Sequence, residues 1–207
     1  MHRRISLLLL WPLLLLQLLL GGCATSPPKH LDDGCSIFRE KDDWYKYANH
    51  SFKKWGVPVH VQLAIMHQES RFRSQALAPD DTLLGFIPWG QVTTAYGYAQ
   101  VLDSTWDWYI RSTGNSGADR DDFEDASDFI GWYGNLSHKK LGISKWDAYN
   151  QYLAYHEGHG GWLRKTYLKK PWLIKVARKV ERRSKMYAAQ LARCKNDLDS
   201  GWSLWPF

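Results

Sequence analysis

Apolar and polar positions change rhythm along the 207-residue chain. From Ile5 to Leu20 the apolar run is almost unbroken. At about 16 residues it falls short of the roughly 20 that a spanning helix needs, and Pro12 interrupts it. Beyond it the apolar positions recur at spacings of three and four, so the chain reads as mostly helical. Pro58 suits the first turn of a helix reaching about Ser70, with Val61, Ala64 and Ile65 on one face. Ser104 with Asp107 has the form of a capping box and predicts a helix opening near Trp106. Further helices fit about Phe123 to His138 and Lys145 to Tyr155. The clearest is the last. Leu173, Val176, Ala177, Val180, Ser184, Tyr187, Leu191 and Cys194 fall on one stripe, which predicts a buried face. Arg178, Lys179, Arg182, Arg183 and Lys185 are expected mostly outside it. Two stretches have no helical period: Ala78 to Thr94, rich in Gly and Pro yet apolar, and Ser200 to Phe207.

The start of the chain adds a targeting signal. Arg3 and Arg4 precede the apolar run, and Leu20-Gly21-Gly22-Cys23 follows it. Small residues before a cysteine resemble the bacterial lipobox, in which that cysteine is lipidated and becomes the new N-terminus. The other reading is an uncleaved signal anchor. The lipobox reading divides the chain into a signal peptide (1–22), a tether (23–33) containing Pro27-Pro28, one domain (34–199) and a tail (200–207). Ala24, rather than Asp, after the cysteine points by resemblance to enterobacterial lipoproteins to the outer membrane, facing the periplasm. Two cysteines remain, Cys35 and Cys194. In an exported protein such a pair invites a disulfide, the alternative being two buried thiols.

The domain is basic, within a net charge of +6 for the whole chain. Between Arg164 and Lys195 the cations face a lone Glu181. Such a surface favours polyanions, or is simply a solvated face. No zinc-finger spacing, RNA-binding signature or basic zipper accompanies it, so nucleic acid is not expected as a partner. Twelve tryptophans serve either core or sugar stacking, and for Trp106, Trp108 and Trp132 the core is favoured.

Candidate chemistry begins at Glu69. On the helix from Pro58 it follows Ile65 by four and Met66 by three, so it projects from the edge of the apolar face. A carboxyl group there loses hydration, which disfavours the anion and raises its pKa. A proton held near neutral pH is what a general acid needs to protonate a departing sugar oxygen. A glutamate merely exposed at a helix end is the plainer alternative.

Three segments shift that balance. Glu69-Ser70-Arg71-Phe72 is followed by Ala95-Tyr96-Gly97-Tyr98-Ala99-Gln100 and then by Ala154-Tyr155-His156-Glu157-Gly158. In this order they resemble the lytic transglycosylases of the soluble lytic transglycosylase superfamily, whose pattern is Glu-Ser-x-Phe, Gly-Leu-Met-Gln and Ala-Tyr-Asn-Ala-Gly. The resemblance runs from about Val57 to Arg164 and implies a mainly α, goose-type lysozyme-like single domain with long loops. It also implies cleavage of the bond between N-acetylmuramic acid and N-acetylglucosamine in peptidoglycan, with Glu69 as the catalytic acid–base and no cofactor. Ser70, Gly97, Tyr98, Gln100, Tyr155 and His156 are the implied substrate-binding positions. Ser70 is expected to bond near Glu69 or a sugar substituent. Gly97 would let backbone approach the cleft, and the Tyr155 hydroxyl would reach the Glu69 carboxylate. Ordinary glycosidases pair two carboxylates. Here no second acid sits in a comparably recognisable motif, which favours closure of a 1,6-anhydro ring over attack by water. A hydrolytic muramidase and a non-catalytic peptidoglycan-binding lipoprotein are the competing readings. The protein is expected to act as a monomer.

The departures are specific. His156-Glu157 replaces the family's Asn-Ala, which alters substrate contacts or gives Glu157 a supporting role. The connection from Leu77 to Thr94 is long, and Leu83, Leu84, Phe86, Ile87 and Trp89 are expected to form a flap beside the groove. His156 and His159 stand three apart among glycines, the wrong spacing for a helical zinc pair, and no metal is expected. Asp80-Asp81 and Asp121-Asp122 read as turn or cap residues, with Asp80 or Asp81 the alternative for a hidden second carboxylate.

Overall fold

The structure, a computed structural model, describes residues 25–77, 81–83, 87–90 and 93–200. Among them run α1 (Gly34–Glu40), α2 (Asp42–Trp55), α3 (Val59–Ser70), β1 (Asp81–Leu83), β2 (Ile87–Gly90), α4 (Asp103–Thr113), α5 (Phe123–Leu141), α6 (Ala148–Leu163), a 3-10 turn (Thr166–Lys169) and α7 (Pro171–Ser200). The fold is mainly α, as expected, with one antiparallel pair in which Leu83 faces Ile87. Lipobox residues and the C-terminal tail from Gly201 lie outside the described residues. So do Leu84, Phe86 and the side chains of the other expected flap residues, Leu83, Ile87 and Trp89.

α3 is the axis of the domain. It touches α2, α5, α6 and α7, and every residue from Val61 to His67 is buried. The expected amphipathic helix is therefore corrected to one covered almost all round, the usual state of a helix inside a core. Gln62 is buried with it because its amide donates to the carbonyls of Ala48 (3.1 Å) and Val57 (2.8 Å). α2 and α5 press together where Gly131 leaves no room: a Cβ there would stand 2.3 Å from Ser51 Oγ. Asp128, 8% exposed, joins three elements by accepting from Lys54 (3.0 Å), the Trp55 indole (2.7 Å) and the Tyr109 hydroxyl (2.8 Å).

Local signals fared unevenly. Asp122 caps α5, accepting from the Asp125 amide at 3.0 Å, while Asp121 accepts from the Tyr96 hydroxyl at 2.9 Å. The predicted capping box at Ser104 is corrected. α4 starts at Asp103 after an extended Leu102 with no side-chain cap, and the Asp103 amide donates instead to Thr94 Oγ1, nine residues upstream, at 3.0 Å. α6 starts at Ala148, later than Lys145, because Asp147 accepts from the Asn150 amide as its cap. It also continues past Tyr155, with a break at Gly158, whose φ of 71° departs from the helix. Trp106 and Trp132 are core, and Trp108 packs edge-on against Trp132 at 4.8 Å.

The stripe on α7 is buried at Leu173, Ala177, Val180, Ser184, Tyr187 and Cys194. Arg183 departs from the expected outward set: it is turned in against Asp32, with only 16% of its side chain exposed. That pair belongs to a larger correction. The stretch expected to be a tether is bonded to the domain already at Thr25, whose carbonyl accepts from Ser74 Oγ at 3.4 Å. Tyr187 donates to the Leu31 carbonyl, and Gln190 binds Asp32 O (2.9 Å) and the Gly34 amide (2.8 Å). The Cys35–Cys194 disulfide closes the same seam across 159 positions of sequence, with Cα atoms 6.2 Å apart. In the loop-entropy account such a closure stabilises by roughly 4–5 kcal/mol.

Candidate active site

Glu69 sits in the last turn of α3, which ends as Arg71 and the buried Phe72 both take left-handed backbone, φ 54° and 60°. Phe72 is fully enclosed, in ring contact with Trp44 and His67, so the chain turns sharply at the point where the carboxyl group is presented. The residue as a whole is half-buried, but carboxyl oxygen Oε1 is sealed off and has no hydrogen-bond partner. Asp128 shows what a satisfied buried carboxylate looks like in this molecule; Glu69 is the opposite case. Burial raises its pKa to about 7, and hydrogen bonding from the Tyr152 hydroxyl pulls only partly the other way.

Around it lies a cleft of about 520 Å³, lined by Glu69 together with Thr93, Ala95, Gln100, Val101, Tyr133, Tyr155, His156 and Glu157. α6 supplies one wall, and the turn from Tyr96 to Val101 supplies the other. That turn is built tightly. Gly97 has φ +80°, and a Cβ there would meet the Arg120 carbonyl oxygen at 2.1 Å. The close approach expected at Gly97 is thus made to the Arg120 backbone, on which the turn packs. Gln100 also takes left-handed backbone, φ 49°, and its side-chain amide donates to the carbonyls of Ala76 (2.7 Å) and Gly97 (3.1 Å). It lines the cleft while bracing the turn that carries it.

The other expected site residues divide. Tyr155 lines the cleft, but its hydroxyl donates to the Ala99 carbonyl at 2.6 Å rather than to Glu69. His156 also lines it and is exposed. Tyr98 does not: it is 1% exposed, packed edge-on between Trp44 and Phe123, and belongs to the core. Ser70 is likewise 1% exposed, and its hydroxyl donates back to the Met66 carbonyl at 3.3 Å, the usual outlet for a serine inside a helix. The expectations that Tyr98 and Ser70 touch substrate are corrected accordingly. Tyr152 carries no motif and was missed. It lies one helical turn before Tyr155, a spacing that puts both on one face of α6, and that period was the available signal.

Glu157 is a second carboxyl group at the cleft with the contrary character. Its side chain is 3% exposed, and burial alone would raise its pKa. Hydrogen bonds from Lys170 (2.7 Å), Thr166 and His156 (3.1 Å) outweigh that and hold it at about 2. It is a fixed anion. Among the described residues no group of three or more His, Cys, Asp or Glu side chains gathers in a form that could hold a metal ion.

A helical domain whose open cleft holds a carboxyl group with a buried, unpartnered oxygen is the layout of a lysozyme-like glycan-cleaving enzyme. The chain matches the family described as "Transglycosylase SLT domain" over residues 11–194, and it belongs to that family. Membership ties it to lytic transglycosylase-type action on the glycan strands of peptidoglycan. No curated protein matches the chain.

Proposed function

We propose that the protein is a peptidoglycan lytic transglycosylase in which Glu69 serves first as acid and then as base. The observation that carries this reading is the pair of carboxyl groups with opposite environments: Glu69 sealed and holding its proton near neutral pH, Glu157 locked as an anion by its own partners. Protonated Glu69 gives its proton to the oxygen joining N-acetylmuramic acid to N-acetylglucosamine, and the bond from that oxygen to C1 of the muramic sugar breaks. The positive charge at C1 is sheltered by the sugar's own 2-acetamido carbonyl. Glu69, now a carboxylate, takes the proton of the C6 hydroxyl as O6 bonds to C1. A 1,6-anhydro ring closes, the catalyst regains its starting state, and no water is consumed. Glu157, held at about 2 by its three donors, is a weak base for activating a water, which favours this route over hydrolysis.

The reading includes lipidation at Cys23 and residence at the outer membrane, facing the periplasm. It is supported by Leu20-Gly21-Gly22-Cys23 behind a basic, apolar leader, with Ala24 next.

Mass analysis of fragments released from purified walls tests the chemistry. Anhydro-ended products, lighter by one water than their hydrolytic counterparts, are expected from the parent and not from Glu69→Gln. Reducing ends alone would replace the transglycosylase reading with a muramidase. Equal wall clearance by both proteins would remove Glu69 from the mechanism.

A further inference from the structure

One end of the cleft is lined by the pair that departs from the family pattern. At its α6 end the pair His156-Glu157 stands beside the break at Gly158, and the chain then turns through the 3-10 segment into α7. Glu157 ties this corner together. Its Oε1 accepts from Lys170 at 2.7 Å and from His156 Nδ1 at 3.1 Å, and its other oxygen accepts from Thr166, which also reaches the Gly161 carbonyl at 3.2 Å. Lys170 directly precedes Pro171 and Trp172, the first residues of α7. The anchor therefore fixes where Trp172 emerges, and the indole meets the His156 ring edge-on with centroids 5.2 Å apart. Trp172 is nevertheless 54% exposed.

A tryptophan left more than half in water, yet held against a cleft-lining histidine by an ion pair whose carboxylate is buried, is not explained by packing. Burying its ring would have been worth more to the fold than holding it at a rim. The rings run outward in sequence: Tyr152 beside Glu69, then His156 at 6.4 Å from Tyr152, then Trp172. Pyranose rings present apolar C–H faces that pack on aromatic faces, and a polymer reaching Glu69 must leave the cleft somewhere. We infer that Trp172, oriented through His156 and the Glu157–Lys170 pair, is a saccharide platform at the cleft rim that holds an N-acetylated hexosamine ring of the glycan strand away from the scissile bond. This rests on the glycan-cleaving reading above for its substrate class. It assigns a binding role to a residue outside the three motif segments, and a positioning role to the pair that departs from the family's Asn-Ala.

The test separates the platform from the chemistry. Binding of stem-free glycan strands is measured with Glu69→Gln and with Glu69→Gln/Trp172→Ala, while cleavage is measured separately with the parent. Loss of the platform is expected to weaken binding about tenfold. Trp172→Tyr in place of Trp172→Ala should restore most of the affinity, which distinguishes stacking from a damaged fold. Glu157→Gln in the same background should weaken binding in the same direction, since it frees Lys170 and His156. Equal affinities for Glu69→Gln and the Trp172→Ala double variant overturn the platform, even where the parent cleaves normally. A parent that fails to cleave walls sinks the enzymatic reading, and the binding comparison then decides the role of Trp172 by itself.

Discussion

The hydroxyl of Tyr155 donates to the carbonyl of Ala99 at 2.6 Å, so the wall of the cleft formed by α6 is latched to the turn that carries Gln100. The motif tyrosine acts through the position of the opposite wall. Tyr155→Phe leaves that carbonyl unpaired and is expected to cost about 1–1.5 kcal/mol of stability, read from urea unfolding. The loss of wall-cleaving activity should exceed what that destabilisation explains, on the order of tenfold to a hundredfold, because small misplacements at a reacting centre are costly. An active Tyr155→Phe protein with parental rates would show that the latch is dispensable.

Removing the acid should separate activity from folding. Glu69→Gln is expected to lower glycan cleavage by roughly 10²–10⁴-fold. Its effect on stability depends on pH. The folded pKa is raised to about 7, so between the ordinary glutamate value and about 7 the folded state holds a proton that the unfolded chain has released. Stability of the parent therefore falls as pH rises through that window, by on the order of 3 kcal/mol, and is flat above it. Glu69→Gln has no such slope. Melting curves of the two proteins at pH 5 and pH 8 check this; parallel pH profiles would contradict the assigned burial.

Glu157 gives the opposite sign. Its folded pKa is held at about 2, below the ordinary value, so its contribution is complete above that ordinary value and is lost as pH falls toward about 2. The parent is expected to lose stability on acidification through this range more steeply than Glu157→Gln, as followed by circular dichroism.

Gly97 and Gly142 share a left-handed backbone but differ in surroundings. At Gly97 an added Cβ strikes the Arg120 carbonyl, whereas at Gly142 nothing lies within 4 Å. Gly142→Ala should cost about 1–2 kcal/mol, the backbone penalty alone. Gly97→Ala should cost more and should also impair cleavage, since the turn it displaces positions Gln100. Equal destabilisation of the two variants would remove the close approach as a factor.

Legibility from the sequence followed the physics of each element. The α7 stripe and the cap at Asp122 were readable because period and cap chemistry are local, and the distant Cys35–Cys194 pair because two cysteines beyond the lipobox allow a single pairing. α3 was readable in extent but not in environment: a helix covered on every side shows little contrast between faces. Motif resemblance found Glu69, Gln100 and Tyr155 at the cleft yet overreached at Ser70 and Tyr98, whose side chains face Met66 and the Trp44–Phe123 cluster. Tyr152, the Tyr155–Ala99 latch and the docking of Leu31, Asp32 and Gly34 on α7 depend on distant segments meeting, which spacing along one segment does not report.

Because Cys35 is bonded to Cys194, and Leu31, Asp32 and Gly34 before it are hydrogen-bonded to α7, a tug on the N-terminal side is passed into that helix. The seam gives such a load a covalent path into a helix that supplies neither of the two walls facing Glu69.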